Sequence, residues 1–271
     1  MDGEGTLRIK KICQVTLTIL FFILFVAPVL LLAAKSIGTG WVWPLVLPTE
    51  WDFRAWNVIV SDPQVIQSIN TTVILGALVV IFNILLALPT AFSLSRYHFR
   101  GKSFIEAFLL MPILIPVLAI AMGIHFTMIK LGLADNMLGV LIIHMLPTLP
   151  YSIRMLKAGF DRLDTSWSEQ ASTLGASKRD QLLSVTIPLL LPSLKSTALL
   201  VFVISLSQYV LTAIIGGGNV TTLSMLYYPY FNSADEAIIA SFSVVFALLP
   251  LLFLLVLEVL AQLYVKAMTR A

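Results

Sequence analysis

Few side chains in this 271-residue sequence have the types and spacings that covalent or metal chemistry needs. The three histidines, His98, His125 and His144, lie far apart, and each reads as a packed or interfacial residue rather than a metal ligand. The single cysteine, Cys13, falls in an apolar run and has no internal partner. No G-x-x-x-x-G-K-[ST] is present to cradle nucleotide phosphates. Gly216-Gly217-Gly218 lacks the lysine and reads as a turn. With no H-E-x-x-H and no Ser/His/Asp set, no enzymatic or metal site is expected. Three features remain. Ser205, Gln208 and Thr212 are spaced i, i+3, i+7, which on a continuous helix puts three polar groups on one face. Such a stripe either bonds neighbouring helices or lines a polar path. Glu258 is a carboxylate inside the last apolar run, and it reads either as a functional charge or as the partner of a nearby Lys or Arg. Finally, Ser166–Pro192 carries two capping-box patterns, Ser166 with Glu169 and Ser177 with Asp180. Gly175 lies between them, where a left-handed residue would end the first helix, and Pro188 and Pro192 would open the next span. The stretch therefore reads as a helix–Gly–helix hairpin beside a membrane.

The elements that must position these groups are membrane helices. The chain is 59% hydrophobic and 11% charged, against about 25% charged in ordinary globular domains. Six apolar runs can cross the hydrocarbon layer: Ile12–Ala34, Thr71–Ser95, Ser103–Met128, Met137–Ile153, Ile187–Ile215 and Ala237–Val265. The first is longer than a signal-peptide core and lacks a small-x-small cleavage site, so a retained helix is expected. Asn83 and Pro89 suit a bundle interior better than lipid, and Pro112 and Pro116 should break the third run. Residues 35–69 hold Trp41, Trp43, Trp51 and Trp56, which suits short helices lying flat at the interface. The loop at 216–236 adds Tyr227, Tyr228, Tyr230 and Phe231.

Charge sets the expected orientation. One side would hold Arg8, Lys10, Lys11, Arg96, Arg100, Lys102, Arg154, Lys157, Arg162, Lys178, Arg179, Lys195, Lys266 and Arg270; the other would hold only Lys35, Arg54 and Lys130. Fourteen cations against three put both termini and the Glu169 hairpin in the cytoplasm. The expected fold is all-α and polytopic with six transmembrane helices, in a single domain 1–271 with a core at about 70–265 and a cytoplasmic hairpin at 164–188. A net charge of +3 gives no reason to expect a nucleic-acid partner.

Glu169-Gln170-Ala171, three residues, Gly175, nine residues, then Val185-Thr186-Ile187-Pro188 resembles the EAA loop of permease subunits of binding-protein-dependent ABC importers. The family pattern is E-A-A, three residues, G, nine residues, I-x-L-P. Gln170, Val185 and Ile187 depart from it mildly. The resemblance extends more loosely over Asn70–Ser243, including SRYHFRGK at 95–102. It implies the type I importer permease fold, with Glu169, Gln170, Ala171, Gly175, Ile187 and Pro188 docking on an ATPase subunit. It also implies that Ser205, Gln208 and Thr212 line the translocation path. The implied partners are two ATPase subunits that carry ATP and Mg2+, a second homologous or identical permease, an extracytoplasmic solute-binding protein and the lipid bilayer of a bacterial inner membrane. No cofactor is expected on this chain. The segment SLSQYVLTAIIGGG looks most like the polyamine, thiamine, iron and sulfate branch, with polyamine the first substrate and sugar the second. An ion-coupled secondary transporter is the alternative from another class. Against it stand the sparse intramembrane charge and the lack of an inverted repeat.

Overall fold

The computed structural model describes residues 2–41, 45, 48–232 and 235–268, with the side chains of 2–9, 12 and 232 left out of account. Trp43 and Arg270, used above, lie outside the described residues, and so does the Arg8 side chain. The chain forms two compact units, Met1–Ile66 with Pro229–Leu248, and Gln67–Tyr228 with Leu249–Ala271.

In the first unit, α1 (Asp2–Phe21), a π-helical stretch (Phe22–Val26) and α2 (Ala27–Lys35) follow without a gap. Cys13–Lys35 is apolar and long enough to cross a membrane. None of its most apolar window is buried against the rest of the described chain. The π turns stand just before Pro28, which has no N–H for the i→i−4 ladder. The next residues are not all flat helices as expected. Gly40 at φ 65° turns the chain, and β1 (Gly38–Thr39) pairs antiparallel with β2 (Glu50–Trp51). Among the described residues α3 (Arg54–Ser61) is a short helix, burying Ala55 and Ile59 while Val60 is exposed. Arg54 pairs with Asp235 at 2.7 Å, and Lys35 with Glu236.

The second unit carries the remaining spans, except for the first residues of α4 and the part of the last helix up to Leu248. α4 (Pro63–Arg96) is followed by α5 (Lys102–Leu114) and α6 (Val117–Lys130), which meet at 98°. The third apolar run is thus not one straight span. Ile115 is extended at ψ 132°, the conformation a following proline imposes, and Pro116 precedes α6. Pro112 stays inside α5. Among the described residues five helices are long and apolar enough to cross a membrane, and the bent pair makes six when taken as one span. α7 (Met137–Arg162) is capped by Asn136, which accepts from the Gly139 N–H, and it runs past the expected end at Ile153 with Pro147 and Pro150 inside it.

After α7 come α8 (Ser166–Thr173), α9 (Lys178–Asp180), a second π-helical stretch (Gln181–Thr186), α10 (Ile187–Leu206), α11 (Tyr209–Gly216), α12 (Leu223–Tyr227) and α13 (Glu236–Met268). The fifth run is broken after Leu206, contrary to the continuous helix expected. Helices pack closely where glycine permits. A Cβ on Gly159 would sit 2.6 Å from Ser193 Oγ of α10, and one on Gly76 2.7 Å from the Phe202 ring. Phe202 stacks on Phe253 at 4.1 Å, joining α10 to α13 beside Leu75, Val79 and Val201.

Candidate functional site

The hairpin is built from its turn outward. α7 gives way to extended Leu163, and Asp164 Oδ1 accepts the Ser166 N–H at 2.9 Å, an Asx-turn. The backbone N–H of Ser166, then its hydroxyl, hold the Asp164 carboxyl below the usual carboxylate range. The cap of α8 is Thr165, so the Ser166–Glu169 capping box is not formed. The Asp164 carboxylate, two residues upstream, takes the Ser166 N–H that Glu169 would have accepted, and the Glu169 N–H goes to the Thr165 carbonyl. Glu169 is left exposed, with no side-chain hydrogen bond among the described residues. Gly175 is left-handed at φ 83°, as its position suggests, and Ala176 N–H returns to the Ala171 carbonyl at 3.0 Å. Ser177 and Asp180 do form their capping box.

The second limb is not a separate short helix. Lys178–Leu206 is continuous, with π turns before Pro188. Pro188 cannot donate to the Leu183 carbonyl five residues back. Tyr264 on α13 fills that place, its hydroxyl donating to Leu183 O at 2.6 Å. Gln181, unremarked in the sequence, ties the limbs together. It is buried, and its Nε2 donates to Ser172 Oγ and to the Ala176 carbonyl, both at 2.9 Å. Arg96 donates to the Leu163 carbonyl at 2.7 Å, fixing the hairpin's root to α4. Of the sequence-derived docking residues, Glu169, Gln170 and Gly175 are exposed and Ala171 is half-buried. Ile187 and Pro188 belong to the spanning helix instead. Three exposed apolar side chains on the hairpin were missed, Trp167 (53% exposed), Leu174 (87%) and Leu182 (44%).

The polar stripe of the fifth run is reorganised by the break. Gln208 adopts φ −79°, ψ 75°, and Tyr209 N–H bonds the Ser207 carbonyl at 2.9 Å, an inverse γ-turn. Ser205, near the end of α10, and Thr212, within α11, therefore lie on two different helices rather than sharing one face, and both are buried. His144 of α7 joins them, Nδ1 to Ser205 Oγ at 3.0 Å and Nε2 to Thr212 Oγ1 at 2.9 Å. Beyond His144, Thr148 Oγ1 donates to the His144 carbonyl, Asn83 Nδ2 to Thr148 Oγ1, and Ser152 Oγ to Asn83 Oδ1. His144, Thr148 and Ser152 are spaced i, i+4, i+8, so the periodicity applied to the fifth run would have found them. Gln208 is half-buried, and its amide makes no hydrogen bond among the described residues. Glu258 accepts from Lys195 Nζ at 2.6 Å and from Gln262, the paired one of the two readings open to it.

Residues 83–270 match the family described as binding-protein-dependent transport system inner membrane component. The chain is similar to the molybdate/tungstate transport system permease protein WtpB of Pyrococcus abyssi, 28% identical over 182 residues, 67% of this chain and 73% of that one. It is similar also to the spermidine/putrescine transport system permease protein PotC of Escherichia coli, 21% identical over 214 residues, 79% and 80% of the two chains. Among solved structures, a chain of a bacterial ABC transporter involved in the import of the acidic polysaccharide alginate aligns with TM-score 0.70 at 20% identity, covering 95% of this chain and 96% of that one. A chain of the MetNI methionine ABC transporter aligns with TM-score 0.57 at 14% identity, covering 77% and 99%. These likenesses establish the type I importer permease fold.

Proposed function

The chain belongs to the family of inner membrane components of binding-protein-dependent transport systems, and from that premise we propose that it forms half of the solute path of an ATP-driven importer, docking its hairpin on a separate ATPase subunit. The observation that carries this reading is the hairpin itself. Its two limbs are locked by Gln181, its root is fixed by Arg96, and it presents Glu169 and Leu174 to a partner. A rigid lever with an exposed apolar and acidic face can pass a partner's motion into α7 and α10. ATP and Mg2+ would sit on that partner, and a second permease, identical or homologous, would supply the other half of the path. Related assemblies support these partners: one similar structure is the alginate transporter in complex with a periplasmic protein. The fourteen-to-three cation split supports a cytoplasmic hairpin and cytoplasmic termini in a cell membrane.

For the solute, polyamine competes with a small oxyanion, since the similar permeases include a spermidine/putrescine and a molybdate/tungstate protein. The groups bracketing the break at Gln208 are hydroxyls, an amide and an imidazole, and Glu258 is spent on Lys195. The hydroxyls and the imidazole are spent on one another and on the Gln208 carbonyl, which leaves the Gln208 side-chain amide to donate; a neutral amide suits an oxyanion, whereas a polycation calls for carboxylates. We therefore favour the oxyanion. Co-purification of the tagged chain tests the assembly, and uptake of labelled molybdate against labelled spermidine in the assembled complex tests the solute. Loss of the ATPase on purification from intact membranes would refute the first, and spermidine uptake the second.

A further inference from the structure

A cleft of about 450 Å3 lies at the root of the hairpin. Pro89 and Phe92 of α4 line it together with Trp167 of α8, Leu182 and Val185 of the π-helical stretch, and Leu189 of α10. Phe92, Trp167, Leu182 and Leu189 are all exposed, so the surface is apolar and open. Its polar end is cationic. Arg96 and Lys178 line it against a single carboxylate, Asp164, which interacts with Arg96, so this end carries one net positive charge. Lys178 has no ion-pair partner among the described residues.

We propose that this cleft binds one anionic phospholipid, its acyl chain against Phe92, Leu182 and Leu189 and its phosphate on Lys178 and Arg96. The proposal rests on the orientation given above, which places the cleft at the cytoplasmic headgroup level. A soluble anion would satisfy the two cations and leave the apolar wall wet. A zwitterionic lipid would cover the wall and leave the positive charge uncompensated. An anionic lipid meets both, and basic pockets between helices on the cytoplasmic side hold such headgroups. Trp167 stands where an indole sits at a membrane interface, its ring apolar and its N–H wet. A lipid seated here touches α4, α8 and the π turns at once, so it would regulate the hairpin that carries the coupling.

Trp167 also provides the probe, because the other four tryptophans all lie in the 41–56 stretch. The full chain is reconstituted in phosphatidylglycerol–phosphatidylcholine vesicles with one lipid brominated on its acyl chain, and the fluorescence of Trp167→Phe is subtracted from that of wild type. Brominated phosphatidylglycerol should quench the difference signal about threefold more than brominated phosphatidylcholine at equal fraction, and Lys178→Gln should abolish the preference. Equal quenching by the two means that Trp167 meets only bulk bilayer, and no quenching means that protein covers the cleft; either result overturns the proposal. As a second measurement, native mass spectrometry should find phosphatidylglycerol retained by wild type and lost from Lys178→Glu, which reverses the charge at the polar end of the cleft. Retention in that variant would place the lipid elsewhere. ATPase capture by the same preparation reports hairpin docking independently, so a chain that captures its ATPase yet shows no lipid preference overturns the lipid site alone.

Discussion

His144 holds Ser205 and Thr212 on opposite sides of the break in the fifth span, one with each ring nitrogen. The bonding fixes its tautomer. Thr212 spends its one hydroxyl proton on the Gln208 carbonyl, so it must accept from His144 Nε2–H. Nδ1 is then the acceptor, and the Ser205 hydroxyl donates to it. The imidazole thus measures the distance between the C-terminal end of α10 and the first turns of α11, and it holds the Gln208 turn in place between them.

His144→Leu keeps the volume and removes both bonds, leaving the Ser205 hydroxyl buried without its acceptor. The expected loss is about 1–3 kcal/mol, the penalty for an unsatisfied buried group. It should appear as a lower melting temperature in detergent, together with weakened uptake. His144→Gln, which can reach one hydroxyl but not both, should fall between. A melting temperature unchanged in His144→Leu would mean that the break is held by packing alone.

The hairpin makes two separable predictions in a single experiment. A Cβ at Gly175 meets nothing within 4 Å, so the penalty of Gly175→Val is purely one of backbone, about 1–2 kcal/mol for a left-handed residue. It should bend the tip, lower ATPase capture and leave membrane insertion intact. Glu169 does not cap α8, so Glu169→Ala should alter stability by no more than about 0.5 kcal/mol, as at other surface positions. Loss of ATPase capture in Glu169→Ala at unchanged melting temperature assigns its carboxylate to the partner. Normal capture and uptake in both variants would reduce the hairpin to a solvated connector.

These contrasts show which features were legible in the sequence. The spans follow from composition and length, and the left-handed Gly175 and the Ser177–Asp180 box follow from local chemistry that no tertiary contact overrides. The Ser166 box failed because Asp164, two residues upstream, competed for the same N–H. The straight fifth span failed for a different reason. No Gly or Pro stands between Leu206 and Tyr209 to announce the break, and its partner, His144, is more than sixty residues away. A turn stabilised by a distant side chain leaves no local periodicity to read. Gln181 was missed likewise, since its two acceptors meet it only after Gly175 has turned the chain.

Orientation can be measured at two exposed polar positions. In a Cys13→Ser background, Glu50→Cys should react with an impermeant thiol reagent added outside sealed cells, and Ser177→Cys only after permeabilisation. Both are exposed, so accessibility to the reagent depends on the side of the membrane rather than on burial. Reaction at Ser177→Cys in sealed cells would invert the assignment and move the lipid cleft to the other face.

The Lys195–Glu258 pair decides whether an intramembrane carboxylate has work beyond neutralising a lysine. The two join α10 to α13 at 2.6 Å, with side chains 29% and 45% exposed. If the pair is structural, each single change should harm more than the double one, because removing one partner leaves the other charge uncompensated. Lys195→Met and Glu258→Gln should each lower the melting temperature and the yield, and Lys195→Met with Glu258→Gln should recover most of both. Uptake should recover in parallel, since no charge then remains in the span. If stability returns in the double variant and uptake does not, Glu258 takes part in transport itself. The driving force would then include a proton or cation that the hydrolysis of ATP on a partner subunit does not supply.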